Sequence, residues 1–263
     1  LLWVRESGSL DALSALAEEA QRSLDLQQGR LLRAVLVNLP EAEQRLLLVI
    51  HHLVVDGVSW RILLEDLQHA YAALAAGTTL VLPGKSTSLH SWAEHLQRYA
   101  QCEALVAESE YWRTTLEAGD AQLPQDFPQE RQTRGQAARA SSRLSSAQTH
   151  KLLKVAPAAY RTQINYLLLT ALARVLCDWS EQPSVLVQLE GHGREDLFDE
   201  VDLSRTVGWF SSLFPVRLTP QAQPGASLCA IKEQLRAVPG KGIGYGVLRY
   251  LTRSAELQGL AQP

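Results

Sequence analysis

Apolar residues recur along this chain with two periods, and each change of period marks a new element. Leu10, Leu13, Leu16, Ala20 and Leu24 keep helical spacing after Ser9, a suitable N-cap, and the pattern stops at Gly29. Two branched apolar runs, 31–39 and 46–51, are separated by the turn-like 40–44, which predicts a hairpin or a pair of adjacent core strands. The chain then turns at 54–57 and enters a helix through Trp60, Leu63, Leu64, Leu67, Tyr71 and Leu74, stopped by Gly77. Ser88 caps a further helix carrying Trp92, Leu96 and Tyr99, and helical spacing resumes as far as Leu116.

Residues 119–136 hold two prolines, two glycines and many polar groups, and read as a linker. A second set of similar elements follows: a short strand at 141–144, a helix over 147–155 and a strongly apolar helix over 163–179. A strand at 184–190 leads into the polar turn 191–196, another strand spans 210–218, and a helix over 226–237 precedes the glycine-rich 240–246. The predicted organisation is two lobes of mixed α and β structure, 1–118 and 137–263, joined by 119–136.

Composition narrows the class. With 263 residues, 46% of them hydrophobic and 20% charged, the chain can bury a substantial core and is neither a disordered tail nor a fibre. A net charge of −3 argues against a nucleic-acid or membrane-surface role. The three cysteines, Cys102, Cys177 and Cys229, are odd in number and far apart, so they read as small buried hydrophobes in a reducing, cytoplasmic setting. No apolar run approaches the roughly 18 residues of a membrane span. Met is absent altogether, and the chain opens abruptly on Leu1, Leu2 and Trp3, which reads as a piece of a longer polypeptide.

Three stretches could carry chemistry. In His51-His52-Leu53-Val54-Val55-Asp56-Gly57, two histidines end an apolar strand just before a turn, where a rigid scaffold releases side chains toward a cleft. Strand alternation puts His51 and His52 on opposite faces, so that one faces a cavity while the other packs. In Glu190-Gly191-His192-Gly193-Arg194-Glu195 a carboxylate again stands at a strand end. Half-burial there would raise its pKa toward that of a neutral-pH general base. The competing reading is a solvated turn with an Arg194–Glu195 surface pair. The third stretch, Arg205 to Pro215, lines a cleft or forms a buried strand with an aromatic anchor.

Nucleotide and metal motifs are not supported. Gly84-Lys85-Ser86 lacks the earlier glycine of a phosphate loop, because position 79 is Thr79; 240–246 follows a helix where a dinucleotide fingerprint follows a strand. Ser211 and Ser212 have no nucleophile elbow around them.

HHLVVDGVSW at 51–60 resembles the H-H-x-x-x-D-G motif of the condensation superfamily of nonribosomal peptide synthetases. AYRTQINYLLLTAL at 159–172, EGHGRE at 190–195, RTVGWFSSLFPVRL at 205–218 and PGKGIGYGVLRYL at 239–251 resemble, in order, the signature blocks of epimerization domains. The resemblance implies an α/β fold of the two-lobed chloramphenicol-acetyltransferase type around a tunnel, incomplete here at both termini. It implies inversion at the α-carbon of an aminoacyl or peptidyl thioester held on the 4'-phosphopantetheine arm of an upstream peptidyl carrier domain. The downstream partner is a condensation domain, and no cofactor or metal is bound by the domain itself.

By the same resemblance His52 and Glu190 face each other across the tunnel as the acid–base pair. Asp56 is structural, His51 packs, and Gly57 permits the turn. His192, Arg194, Trp209 and Tyr245 shape the pocket. Two other readings share the fold: a condensation domain forming peptide bonds, which is not expected to carry EGHGRE, and a non-catalytic module that recruits carriers. Family members are longer, with a further N-terminal block and a C-terminal Asn-Tyr block, and Tyr166 stands where an acidic residue is expected. The intact parent is therefore expected to be active and residues 1–263 alone to fold poorly; soluble expression of this segment with full α-proton exchange activity would contradict that.

Overall fold

Alternation of buried and exposed residues in Leu32–Asn38 (β2) fixes the first sheet: Val35 and Val37 point into a core with Ala20 and Leu39, while their neighbours point away. In the computed structural model, which describes residues 1–8, 12–117, 123–124, 135 and 137–252, β2 is the centre of three strands. It pairs antiparallel with β3 (Gln44–Ile50), as the two apolar runs predict, and parallel with β1 (Leu2–Glu6). The parallel pair is joined through α1 (Ala12–Arg22), which supplies Leu13, Leu16 and Ala20 to the core. Trp3 closes that core, with the Arg33 guanidinium 4.4 Å and the Arg5 guanidinium 4.9 Å from its ring. β1 is not foreseen from the pattern, because its partner strand lies some thirty residues downstream and no turn precedes it. Ser9 and Leu10 lie outside the described residues.

These elements belong to the first of two compact units, residues 1–94 with 192–211. The same unit holds α2 (Gly57–Ala75) and the start of α3 (Leu89–Tyr99). The second unit is 95–191 with 212–263. It contains α4 (Glu103–Val106), α5 (Ser109–Glu117), α6 (Ser146–His150), α7 (Ala156–Tyr160) and α8 (Ile164–Ser180). The antiparallel pair β4 (Val185–Gly191) and β5 (Ser212–Leu218) follows, then α9 (Pro224–Arg236) and α10 (Ile243–Gly246). A π-helical turn at Lys151–Val155 joins α6 to α7, so the helix expected to stop at Val155 continues to Tyr160, where Arg161 turns left-handed at φ 46°. Residues 141–144 are not a strand: they contain one apolar residue, Leu144, and pair with no strand among the described residues. Most of the expected linker lies outside the described residues.

The core of the second unit is aromatic. Trp112 is fully buried, with Tyr245 at 5.2 Å and Phe214 at 6.5 Å between ring centroids. Glu108 lies beside it, accepting hydrogen bonds from Trp112 Nε1 (3.2 Å) and the Tyr99 hydroxyl (3.4 Å). Burial raises the Glu108 pKa, and burial together with this carboxylate pushes Tyr99 up to about 12. Among the cysteines only Cys177 is buried; Cys102 and Cys229 are exposed, because each sits on a helix end or face that the core does not use.

The glycine-rich segment is a packing device. Gly242 has φ +90°, and a Cβ there would stand 2.1 Å from the Phe214 ring, so only glycine lets the chain pass over β5. Gly242→Ala is expected to destabilise the second unit by about 3 kcal/mol or more, through overpacking and backbone strain together. Urea denaturation followed by tryptophan fluorescence checks this.

Candidate functional site

The strand β3 ends at Ile50, before both histidines, so strand alternation does not govern their directions. His51 is extended and caps the short 3-10 turn His52–Val54, its Nδ1 accepting the Leu53 N–H at 3.1 Å. His52 opens that turn, is exposed, and lies against Trp209, with ring centroids 4.9 Å apart and planes tilted by 59°. His51 is thus a turn cap, and the imidazole offered outward is that of His52.

The turn ends at Asp56, the N-cap of α2, whose Oδ1 accepts the Ser59 N–H at 2.7 Å. Gly57 starts the helix with an unexceptional backbone, and a Cβ there would meet nothing within 4 Å, so the turn does not require glycine at this position. The Asp56 carboxylate is buried and accepts two further donors, Arg194 Nη2 at 3.0 and 3.1 Å and the Phe210 N–H at 3.3 Å. Burial alone would raise its pKa, but hydrogen bonds from Ser59 and Arg194 and the guanidinium charge outweigh this and hold the carboxyl below its usual range.

Arg194 therefore does not pair with Glu195 on a solvated surface. Its side chain is 7% exposed, and the guanidinium lies 4.0 Å from the Phe210 ring centre. Nη1 donates to the carbonyls of Leu203 (2.9 Å) and Thr206 (2.7 Å), and Nη2 to Ser59 Oγ (3.0 Å) as well as Asp56. Its Nε is buried with no hydrogen-bond partner among the described residues. Glu195 instead meets His192 Nε2 at 3.2 Å, and His192 Nδ1 accepts the Arg194 N–H at 3.0 Å, so His192 braces the loop from within. Gly193, at φ +67°, lies where this loop crosses the downstream segment: a Cβ would stand 1.6 Å from the Phe210 carbonyl oxygen.

That downstream segment is clipped along α2. Ser59 Oγ donates to the Gly208 carbonyl (2.9 Å) and accepts from the Gly208 N–H (3.0 Å) and Arg194 (3.0 Å), which uses its one hydrogen and both lone pairs. Farther along the helix, Arg205 pairs with Glu65 at 3.1 Å and with Asp66. Thr206 Oγ1 donates to the Thr87 carbonyl at 2.6 Å, and the Thr87 N–H to the Asp202 carbonyl at 2.9 Å. Ser59, Glu65, Asp66 and Thr87 carry no motif; the one cue to Ser59 is its spacing three residues after an N-cap acid.

The first unit thus brings together His52, Asp56, Gly57, His192, Arg194 and Trp209. Glu190 and Tyr245 belong to the second unit. Glu190 lies on β4 opposite Leu213 and is exposed, not half-buried. Tyr245 is 1% exposed, in the aromatic core around Trp112. No group of three metal-ligating side chains is assembled among the described residues, and none of their helices is long and apolar enough to cross a membrane.

Over residues 4–262 the chain matches the family model described as Condensation domain. It is 51% identical over 243 residues to one of the linear gramicidin synthase proteins of Brevibacillus parabrevis, covering 92% of this chain and 5% of that protein. Surfactin synthase subunit 1 of Bacillus subtilis (strain 168) is 44% identical over 245 residues, 92% of this chain and 7% of the relative. Among solved structures, the epimerization domain from the third module of tyrocidine synthetase B superposes with a TM-score of 0.88 at 38% identity. That match covers 99% of this chain and 61% of the other. The first condensation domain of the CDA synthetase shares the fold, with a TM-score of 0.65 at 18% identity over 92% of this chain and 53% of that one. The chain is a small part of the length of its curated relatives.

Because Asp56 titrates lower folded than unfolded, its pairing with Arg194 stabilises the first unit fully above the unfolded value of about 3.9. That stability is lost as pH falls from there through the folded value. Asp56→Asn is expected to cost about 3–5 kcal/mol at pH 7, by stranding a buried guanidinium, and the cost is expected to shrink as pH falls below the unfolded value of about 3.9 toward pH 3. Urea midpoints of both proteins at the two pH values measure the difference.

Proposed function

The chain belongs to the condensation-domain family of nonribosomal peptide synthetases, and from that premise we propose that it inverts the α-carbon of a carrier-bound aminoacyl or peptidyl thioester. The observation that carries this reading is the superposition, along nearly the whole chain, on an epimerization domain, more similar in both structure and sequence than the condensation domain compared with it. EGHGRE at 190–195 supports it, since the loop is built around two residues of that block: a glycine at the backbone crossing and a buried arginine.

The chemistry asks for little beyond side chains. A thioester acidifies its α-proton; a base removes that proton, the electron pair moves into the thioester carbonyl as an enolate, and an acid returns a proton to the opposite face. His52 and Glu190 are the two groups proposed for these transfers. The substrate arrives on the 4'-phosphopantetheine arm of an upstream carrier domain and leaves toward a downstream condensation domain. Asp56 and Arg194 act on the scaffold that holds His52 and do not touch the reacting atoms.

An L-aminoacyl carrier offered to the intact parent protein in heavy water is expected to gain α-deuterium and to yield D-aminoacyl thioester. His52→Ala and Glu190→Ala should each slow this about 100-fold or more, the usual contribution of a general acid or base. Peptide bond formation without exchange would assign the chain to condensation.

A further inference from the structure

We infer that Trp209 is a positioning residue for His52, and that Ser59 acts on the reaction through Trp209. The inference rests on the epimerization reading and adds to it the means by which an exposed imidazole is kept in place. His52 follows the end of β3 and projects, exposed, from a short turn, so burial does not hold its ring in one rotamer. The indole of Trp209, at 4.9 Å and tilted by 59°, closes one side of that freedom.

Trp209 is itself half in water, 46% exposed, so it is not anchored by burial. Its neighbours anchor it. Gly208 is held through both its N–H and its carbonyl by the fully buried Ser59 hydroxyl, and the Phe210 N–H is held by Asp56 Oδ2. The residue between two pinned backbone units has its Cα–Cβ direction fixed, and here that direction carries the indole to His52. Ser59 uses its one hydrogen and one lone pair in doing so, its other lone pair taking Arg194, and alanine there would free both polar groups of Gly208. Proton-transfer geometry is steep, since a displacement of about 1 Å costs on the order of 100-fold in rate. A side chain that fixes one imidazole face therefore matters to kcat without touching substrate.

The test uses the intact protein that carries this chain and measures two things, α-deuterium exchange on a loaded aminoacyl carrier and the rate of diethylpyrocarbonate labelling of His52, with exposed His69 as internal reference. Trp209→Leu is expected to lower kcat for exchange about 10- to 100-fold with KM within about twofold, while Trp209→Phe, which keeps an aromatic face, recovers most of the rate. His52 labelling should rise several-fold in Trp209→Leu and in Ser59→Ala, with the His69 rate unchanged. Ser59→Ala should slow exchange in the wild-type background and add nothing in the Trp209→Leu background. Multiplicative losses would overturn the route from Ser59 through Trp209. A raised KM at unchanged kcat, or His52 labelling unmoved by either variant, would overturn the positioning role. Raised labelling in a parent that performs no exchange would uphold the contact with His52 and reject the epimerization reading instead.

Discussion

Asp56 and Arg194 are separated by 138 residues in the chain, and the first unit brings both into its interior. Removing two charges from water costs several kcal/mol for each ion, a cost that a single contact in the interior seldom offsets. Here most of the remaining capacity is taken up: the carboxylate also accepts two backbone N–H groups, and the two Nη groups of the guanidinium also donate to two carbonyls and a hydroxyl, leaving only Nε without a partner among the described residues. The pair consequently fixes three stretches at once, the end of the histidine turn, the glycine-flanked loop and the strap that runs back along α2. Each of these holds a residue proposed for chemistry or for its support.

Two glycines serve the fold at close crossings of the chain. Gly193 lets one loop pass under the Phe210 carbonyl, and Gly242 lets another pass over the Phe214 ring, at separations where any side chain would overlap backbone or aromatic carbon. Gly57, the glycine of the histidine motif, has ordinary backbone angles and open space around it. The glycine of the histidine motif is therefore not one of the crossing glycines, and the two crossing glycines lie in the later signature blocks.

Much of this was legible in the sequence because it is periodic. The paired strands on either side of 40–44, the long helix ended by Gly77 and the apolar helix ending near Trp179 are local patterns, and local hydrogen bonding follows them. What escaped is non-local. β1 depends on a parallel partner beyond a helix, and its five residues carry no signal of that. Arg194 reads either as a pocket residue or as a surface cation until Asp56 arrives from elsewhere in the chain, and Ser59 reads as an ordinary helix residue until Gly208 does. Strand alternation misplaced the two histidines because the strand stops one residue earlier than the apolar run. The half-burial expected of Glu190 fails because strand position alone does not say what covers a strand end.

The first unit is discontinuous, interrupted by residues 95–191. A ribosome adds roughly 5–20 residues each second, so on the order of 10 s passes between the synthesis of Asp56 and that of Arg194. Throughout that interval the N-terminus of α2 has its local Asp56–Ser59 cap but neither Arg194 nor Gly208, the partners it takes from downstream. The sheet and its helix can form early, but the histidine turn acquires its final support only after the strap to Ser211 has emerged. Competence of this site is thus a late event in the life of the polypeptide, set by the order in which the chain is made.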